Sequence, residues 1–196
     1  MRTTTEPLLP ILRSRLQGRL LAQVLLFGDR ERGQTVAELA RALGAHVATV
    51  HREVDRLAAA GILETERVGR TRLVRPGTDP PYMPELEGLI LKTFGPLQLL
   101  RQLLAPVEGI HDAYIFGSWA ERYEGILGPA PRDLDLLVVG KPDREEVFSV
   151  AADLEARTGI LVDVHIRSEA AWERGQEGLV RTIRGGPHVA LGLGEE

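Results

Sequence analysis

Asp133 and Asp135 stand one residue apart where the apolar run of 131-PRDLDLLVVG-140 begins. On an extended strand, residues i and i+2 project to the same side, with Cα atoms roughly 6.5–7 Å apart. Two such carboxylates can share a hard divalent cation. Mg2+, or Mn2+ in its place, prefers oxygen ligands and keeps waters and substrate phosphates in its shell. Two ions roughly 4 Å apart are a recurrent solution for phosphoryl and nucleotidyl transfer. Upstream, Gly117-Ser118 closes the apolar run 112-DAYIF-116. The glycine lets backbone approach a phosphate, Ser118 offers a hydroxyl, and a helix starting there presents its first N–H groups. A third acid, Asp163, lies in the middle of 160-ILVDVHI-166. A carboxylate inside an apolar strand is costly unless it is paired or metal-bound. It joins the other two if its strand neighbours 134–139. The competing readings are a solvated or helix-capping D-L-D turn and an ion pair between Asp163 and an arginine. His165 shares a face with Asp163 and reads as structural. His46, His51, His111 and His188 show no ligand spacing.

A second group of residues fits a different chemistry. In 46-HVATVHREVDRLAAAGIL-63, Val47, Val50, Val54 and Leu57 fall on one helical stripe, expected to be buried. The opposite surface carries Ala48, Thr49, His51, Arg52 and Arg56. Small and hydrogen-bonding residues at a helix start, followed by arginines, suit base edges and flanking phosphates of double-stranded DNA. Thr49 and Arg52 are the first choices for base or near-base contact. Arg67, Arg70 and Arg72 surround Gly69 in the segment that follows. A basic tip of that kind can lie along a phosphate backbone or reach into a minor groove.

These residues need elements to hold them. Residues 14–28 carry a wide helical stripe that Gly28-Asp29 stops. Thr35 and Glu38 have capping-box spacing for a helix over 36–43, which Gly44 ends. A helix over about 46–60 follows. ILETERV and TRLVRP then read as two short strands around Gly69-Arg70. The segment 75-RPGTDPPYMP-84 holds four prolines and breaks any helix or central strand. Beyond it come a helix over 84–105 interrupted at Gly95-Pro96, a strand at 112–116, and a helix from about Ser118. A strand at 134–139, a helix at 143–157, a strand at 160–166 and a helix at 168–174 complete the series. The acids of 143-DREE-146 suit a first helical turn. Such alternation predicts a sheet with helices packed on it. The glycine-rich tail after about 185 carries no assignment.

The 196 residues suffice for one medium domain or two small ones. Residues 1–78 hold 13 arginines against 8 acids, whereas residues 79–196 hold 11 basic residues against 20 acids. A basic part followed by an acidic part points to two modules with different partners, nucleic acid being the natural one for the first. All but 2 of the 24 basic residues are arginine, a bias that a GC-rich genome produces without functional meaning. The absence of cysteine excludes disulfides and thiolate zinc sites. No apolar run approaches the roughly 18 residues of a membrane span. The first residues lack the apolar core of a signal peptide. A cytoplasmic protein without membrane contact is the expectation.

The residues then take on family resemblances. VAELARALGAHVATVHREVDRLAAAGILETERVGRTRLVRP resembles the winged helix-turn-helix of ArsR- and MarR-type bacterial repressors, over roughly residues 14–76. The resemblance implies a homodimer that reads a palindrome. Gly117-Ser118, the D-L-D of Asp133 and Asp135, and the later Asp163 resemble the minimal bacterial nucleotidyltransferases of the DNA polymerase beta superfamily, over about 108–167. That likeness implies metal-binding and catalytic roles for Asp133, Asp135 and Asp163, and nucleotide binding by Gly117 and Ser118. It also implies a nucleoside triphosphate ligand, and a protein side chain, an RNA end or a small molecule as acceptor. The chain departs from the usual G-S-x-A-R-G in reading GSWAERYEG: Glu121 stands where arginine is common and Arg122 where glycine is. The loop 123–132 is longer than the minimal pattern, and Pro129 and Pro131 stiffen it. The resulting expectation is an α+β chain. An N-terminal winged helix-turn-helix (1–78) and a helical linker (79–107) precede a C-terminal α/β nucleotidyltransferase-like domain (108–196). The function expected is DNA-binding transcriptional regulation with a Mg2+-dependent nucleotidyltransferase module. The alternative is a purely dimeric repressor whose second domain is catalytically inactive.

Overall fold

The computed structural model describes residues 11–126, 131–176 and 178–193. Pro129 and residues 1–10, on which the loop-stiffening and leader expectations rest, lie outside the described residues. The structure is mixed α and β. The main division between its two compact units falls between Gly95 and Pro96.

The first unit opens with α1 (Arg15–Ala22), which Ser14 caps by accepting the Gln17 N–H at 3.2 Å. The helix continues into a wider π turn, Gln23–Phe27. Leu20, Leu21, Val24 and Leu25 are buried along its stripe. A two-residue strand, β1 (Gln34–Thr35), leads into α2 (Val36–Leu43). The capping box forms as its spacing predicts: the Thr35 hydroxyl accepts the Glu38 N–H at 3.1 Å, and the Glu38 carboxylate accepts the Thr35 N–H at 2.7 Å. Those bonds hold the Glu38 carboxyl below its ordinary range. Gly44 ends α2 with φ at 60°, a left-handed turn that costs glycine little. α3 (Val47–Ala59) follows at once.

Val50, Val54 and Leu57 face the core, but Val47 is 53% exposed. The buried stripe therefore starts one turn later than its periodicity predicts. Val47 holds the first helical position and projects past the core. β2 (Leu63–Val68) and β3 (Thr71–Pro76) pair antiparallel around Gly69-Arg70, and β1 adds to the other side of β3. α4 (Met83–Phe94) closes the unit, with Ile90, Leu91 and Phe94 buried. The expected boundary at 78 and the linker 79–107 are thus replaced by a division at 95. The prolines break the backbone, but packing follows the apolar face of α4, which belongs to the first unit.

The second unit begins with α5 (Pro96–Leu104) and β4 (Ile110–Phe116). α6 (Ser118–Tyr123), β5 (Asp133–Gly140) and α7 (Arg144–Thr158) come next. The Asp143 carboxylate accepts the Glu145 N–H at 2.8 Å at the start of α7, the capping role expected of DREE. β6 (Leu161–Arg167), α8 (Glu169–Arg174), α9 (Gly178–Gly185) and β7 (His188–Ala190) complete the unit. The sheet order is β6-β5-β4-β7. β5 and β6 are parallel, with α7 as the crossover, while β4 is antiparallel to both β5 and β7. Along β5, Leu134, Leu136 and Val138 turn to one face, and Asp133, Asp135, Leu137 and Val139 to the other. On the second face Leu137 and Val139 pack with Ile183, Tyr114, Phe116, Trp172 and Leu179. Among the described residues no helix is long and apolar enough to cross a membrane.

Gly18 lets the buried Phe94 ring approach the backbone of α1: a Cβ added there would lie 2.2 Å from the ring Cζ. Alanine would gain roughly 1 kcal/mol of helix propensity. Overpacking in a filled core costs about 1–3 kcal/mol. Ring or helix must shift bodily, so Gly18→Ala should unfold at lower urea concentration than the wild type when followed by far-UV circular dichroism.

Candidate functional site

β5 carries the acids because of its register. Asp135 stands opposite Phe116 on β4 and beside Asp163 on β6, and Asp133 stands beside Leu161. Residues in register share a sheet face, so Asp133, Asp135 and Asp163 project on the same side. Asp135 is half-buried and Asp133 is exposed. The Asp163 side chain is 62% exposed and lies 3.3 Å from His165 Nε2. Burial pushes the Asp135 carboxyl above its ordinary range, and the charges of Asp133 and Asp163 push it further, with His165 opposing. Among the described residues no arginine or lysine pairs with any of the three. The alternative of an Asp163–arginine pair is therefore not realised. Nor does Asp163 need a partner to offset burial: β6 is an edge strand, and this acid faces solvent.

Gly117 sits directly in front of this group. Its φ is +67°, and a Cβ there would meet Asp135 Oδ2 at 2.5 Å. Both the left-handed backbone and the close approach demand glycine. Ser118 is exposed at the start of α6. With 6 residues, α6 offers little more than a single turn of N–H groups, less than the sequence reading asks of it. Among the described residues no three acidic or histidine side chains are drawn together tightly enough to hold an ion as they stand. The carboxylates share a face without sharing a point.

The first unit presents a second surface. The starts of α2 and α3 and the β2–β3 hairpin enclose an open cleft of about 740 Å3, whose lining includes Thr35, Val47, His51, Arg67, Arg70 and Arg72. Ala48 and Arg52 are exposed on α3, and Thr49 is half-exposed. Arg52, Arg67 and Arg70 make no ion pair among the described residues. The other sequence choices are already engaged. Arg56 binds Glu53 at 2.6 Å. Arg72 pairs with Asp55, which also lies 3.0 Å from His51 Nδ1. The Arg72 guanidinium holds the Asp55 carboxyl below its usual range. Asp55 was not among the sequence candidates. Its i,i+4 spacing from His51 was visible; its contact with Arg72 needs the folded hairpin.

A family model described as HVO_A0114 matches residues 29–78, the stretch holding α2, α3 and the hairpin. No curated protein matches the chain.

The crowding at Asp135 has a thermodynamic sign. In the unfolded chain this carboxyl titrates in the ordinary range; in the fold it titrates higher. Stability therefore falls as pH rises from the unfolded value through the folded one, and the penalty is fully present above both. Asp135→Asn should melt at a higher temperature than the wild type at about pH 7. The difference should vanish near about pH 3, where both states carry a protonated carboxyl.

Proposed function

We propose that this chain is a DNA-binding regulator. Its first unit reads duplex DNA as a winged helix-turn-helix, and its second unit binds a nucleoside triphosphate with a divalent cation. The observation that carries the reading is the distribution of unpaired charge. Arg67 and Arg70 line the open cleft and Arg52 is exposed on α3, none of them in an ion pair among the described residues, although the first unit internally pairs Arg30, Arg32, Arg56, Arg72 and Arg75. Cations left unpaired on one surface favour phosphate contacts. Ala48 and Thr49 leave the start of α3 slim enough to enter a groove. The family resemblance of this segment adds a homodimer that reads a palindrome.

The nucleotide half rests on the shared face of Asp133, Asp135 and Asp163. Carboxylate oxygens are the donors that Mg2+ and Mn2+ prefer; burial raises Asp135 most, and the repulsion from Asp133 and Asp163 that adds to it is what a cation relieves. The donor chemistry fits, and these three residues would hold the ion once their side chains converge, which they do not do as they stand. Bound there, a divalent cation would neutralise triphosphate charge and activate an attacking oxygen. Gly117 lets the backbone before α6 pass close to the Asp135 carboxylate, and Ser118 has an exposed hydroxyl to donate to a phosphate oxygen. The acceptor of any nucleotidyl group is a hydroxyl of a protein, an RNA end or a small molecule. One observation favours a second reading, in which the nucleotide is bound but not transferred. Asp163 is largely exposed and already in contact with His165, and the three carboxylates do not converge as they stand.

Duplexes selected by the full chain from a random pool, measured by fluorescence anisotropy, test the proposal. The wild type should bind a selected site tightly. Arg67→Ala/Arg70→Ala should weaken it on every sequence and lower the salt slope by about 2. Adding ATP with Mg2+ should alter the affinity or the footprint. Selection of no preferred duplex would rule out a regulator, and DNA binding indifferent to ATP and Mg2+ would count against the coupling of the two units.

A further inference from the structure

Val47 is the residue of the cleft that neither the core nor the charge pattern explains. It is 53% exposed, whereas Val50 and Val54, one and two turns on, are fully buried. It occupies the first position of α3, beside Ala48 and Thr49 and one turn before His51. Its side chain lines the same cleft as Arg67 and Arg70. A branched apolar side chain there gains nothing from water. The surface it interrupts is otherwise suited to phosphates and hydrogen-bonding edges. Duplex DNA offers one apolar group on its major-groove edges, the C5 methyl of thymine.

We infer that Val47 is a sequence-reading residue: it packs against a thymine methyl group while Arg67 and Arg70 hold flanking phosphates. The inference rests on the DNA-binding reading of the first unit. Its chemistry is apolar contact, so it distinguishes thymine from cytosine and from uracil without a hydrogen bond. Arg52 and His51 cannot supply that distinction, and Ala48 and Thr49 each offer only one methyl group for it. Burying one methyl group corresponds to roughly a threefold to tenfold change in affinity.

The test uses the full chain and a duplex it selects from a random pool. Each thymine is replaced in turn, and in symmetric pairs, by deoxyuridine, which removes the methyl and nothing else. Affinities are measured for the wild type, Val47→Ala and Val47→Thr, with circular dichroism melts as the control for folding. One position should weaken wild-type binding roughly threefold to tenfold on loss of its methyl. Val47→Ala should discriminate thymine from uracil duplexes less than the wild type does, and Val47→Thr, which keeps one γ-methyl, should recover part of the preference. A wild type indifferent to every uracil would overturn the inference, as would a preference undiminished in Val47→Ala. Failure to select any duplex would instead overturn the DNA reading beneath it.

Discussion

The register of β5 between β4 and β6 decides what the second unit can do. It sets Asp135 opposite Phe116 and beside Asp163. A slip by one residue would turn Asp133 and Asp135 to the face where Leu134 and Leu136 are now completely buried. Two carboxylates without partners would then lie in the core, at a cost that folding cannot sustain. Each fully buried leucine or valine contributes roughly 1.5–3 kcal/mol, so the burial of Leu134, Leu136 and Val138 on one face and of Leu137 and Val139 on the other overrides the repulsion among the acids. The strand holds its charges in an unfavourable group because its hydrophobic residues leave no other register. Gly117 follows from the same constraint, since Asp135 fills the space that any side chain there would need.

In the first unit the corresponding constraint is the placement of the start of α3. Thr35 and Glu38 fix where α2 begins, and Gly44 turns the chain so that α3 starts within three residues. Asp55 then joins α3 to the hairpin through Arg72. The hairpin is thereby held beside the helix, with Arg67 and Arg70 free at its end. Formal charge overstates the cationic surface available, because several arginines are spent on internal acids. Of what remains, Arg67 and Arg70 line one cleft.

Local structure was legible in the sequence to the extent that it is written locally. The Thr35–Glu38 box, the helix stop at Gly44, the turn at Gly69-Arg70 and the cap before α7 each depend on residues within a few positions of one another. The strands and the D-L-D at the head of β5 were legible for the same reason. The adjacency of Asp135 and Asp163 was foreseen as a condition, and the parallel pairing of β5 with β6 meets it. Long-range packing was not legible. Nothing near Val47 says that the core stops one turn short of it. The prolines at 76–84 mark a break in the backbone but not the partner of α4. The glycine-rich tail conceals β7, which becomes a strand by pairing with β4, whose sequence lies far upstream. The exposure of Asp163 depends on β6 being an edge strand, a property of the whole sheet.

Calorimetric titration of ATP and of GTP, with and without Mg2+, into the wild type and the Asp133→Asn/Asp135→Asn variant probes the shared face of carboxylates most directly. Binding that requires Mg2+ in the wild type and is lost in the variant is the expected result. Binding of equal strength to both proteins, or to neither, would contradict a nucleotide and metal site on β5.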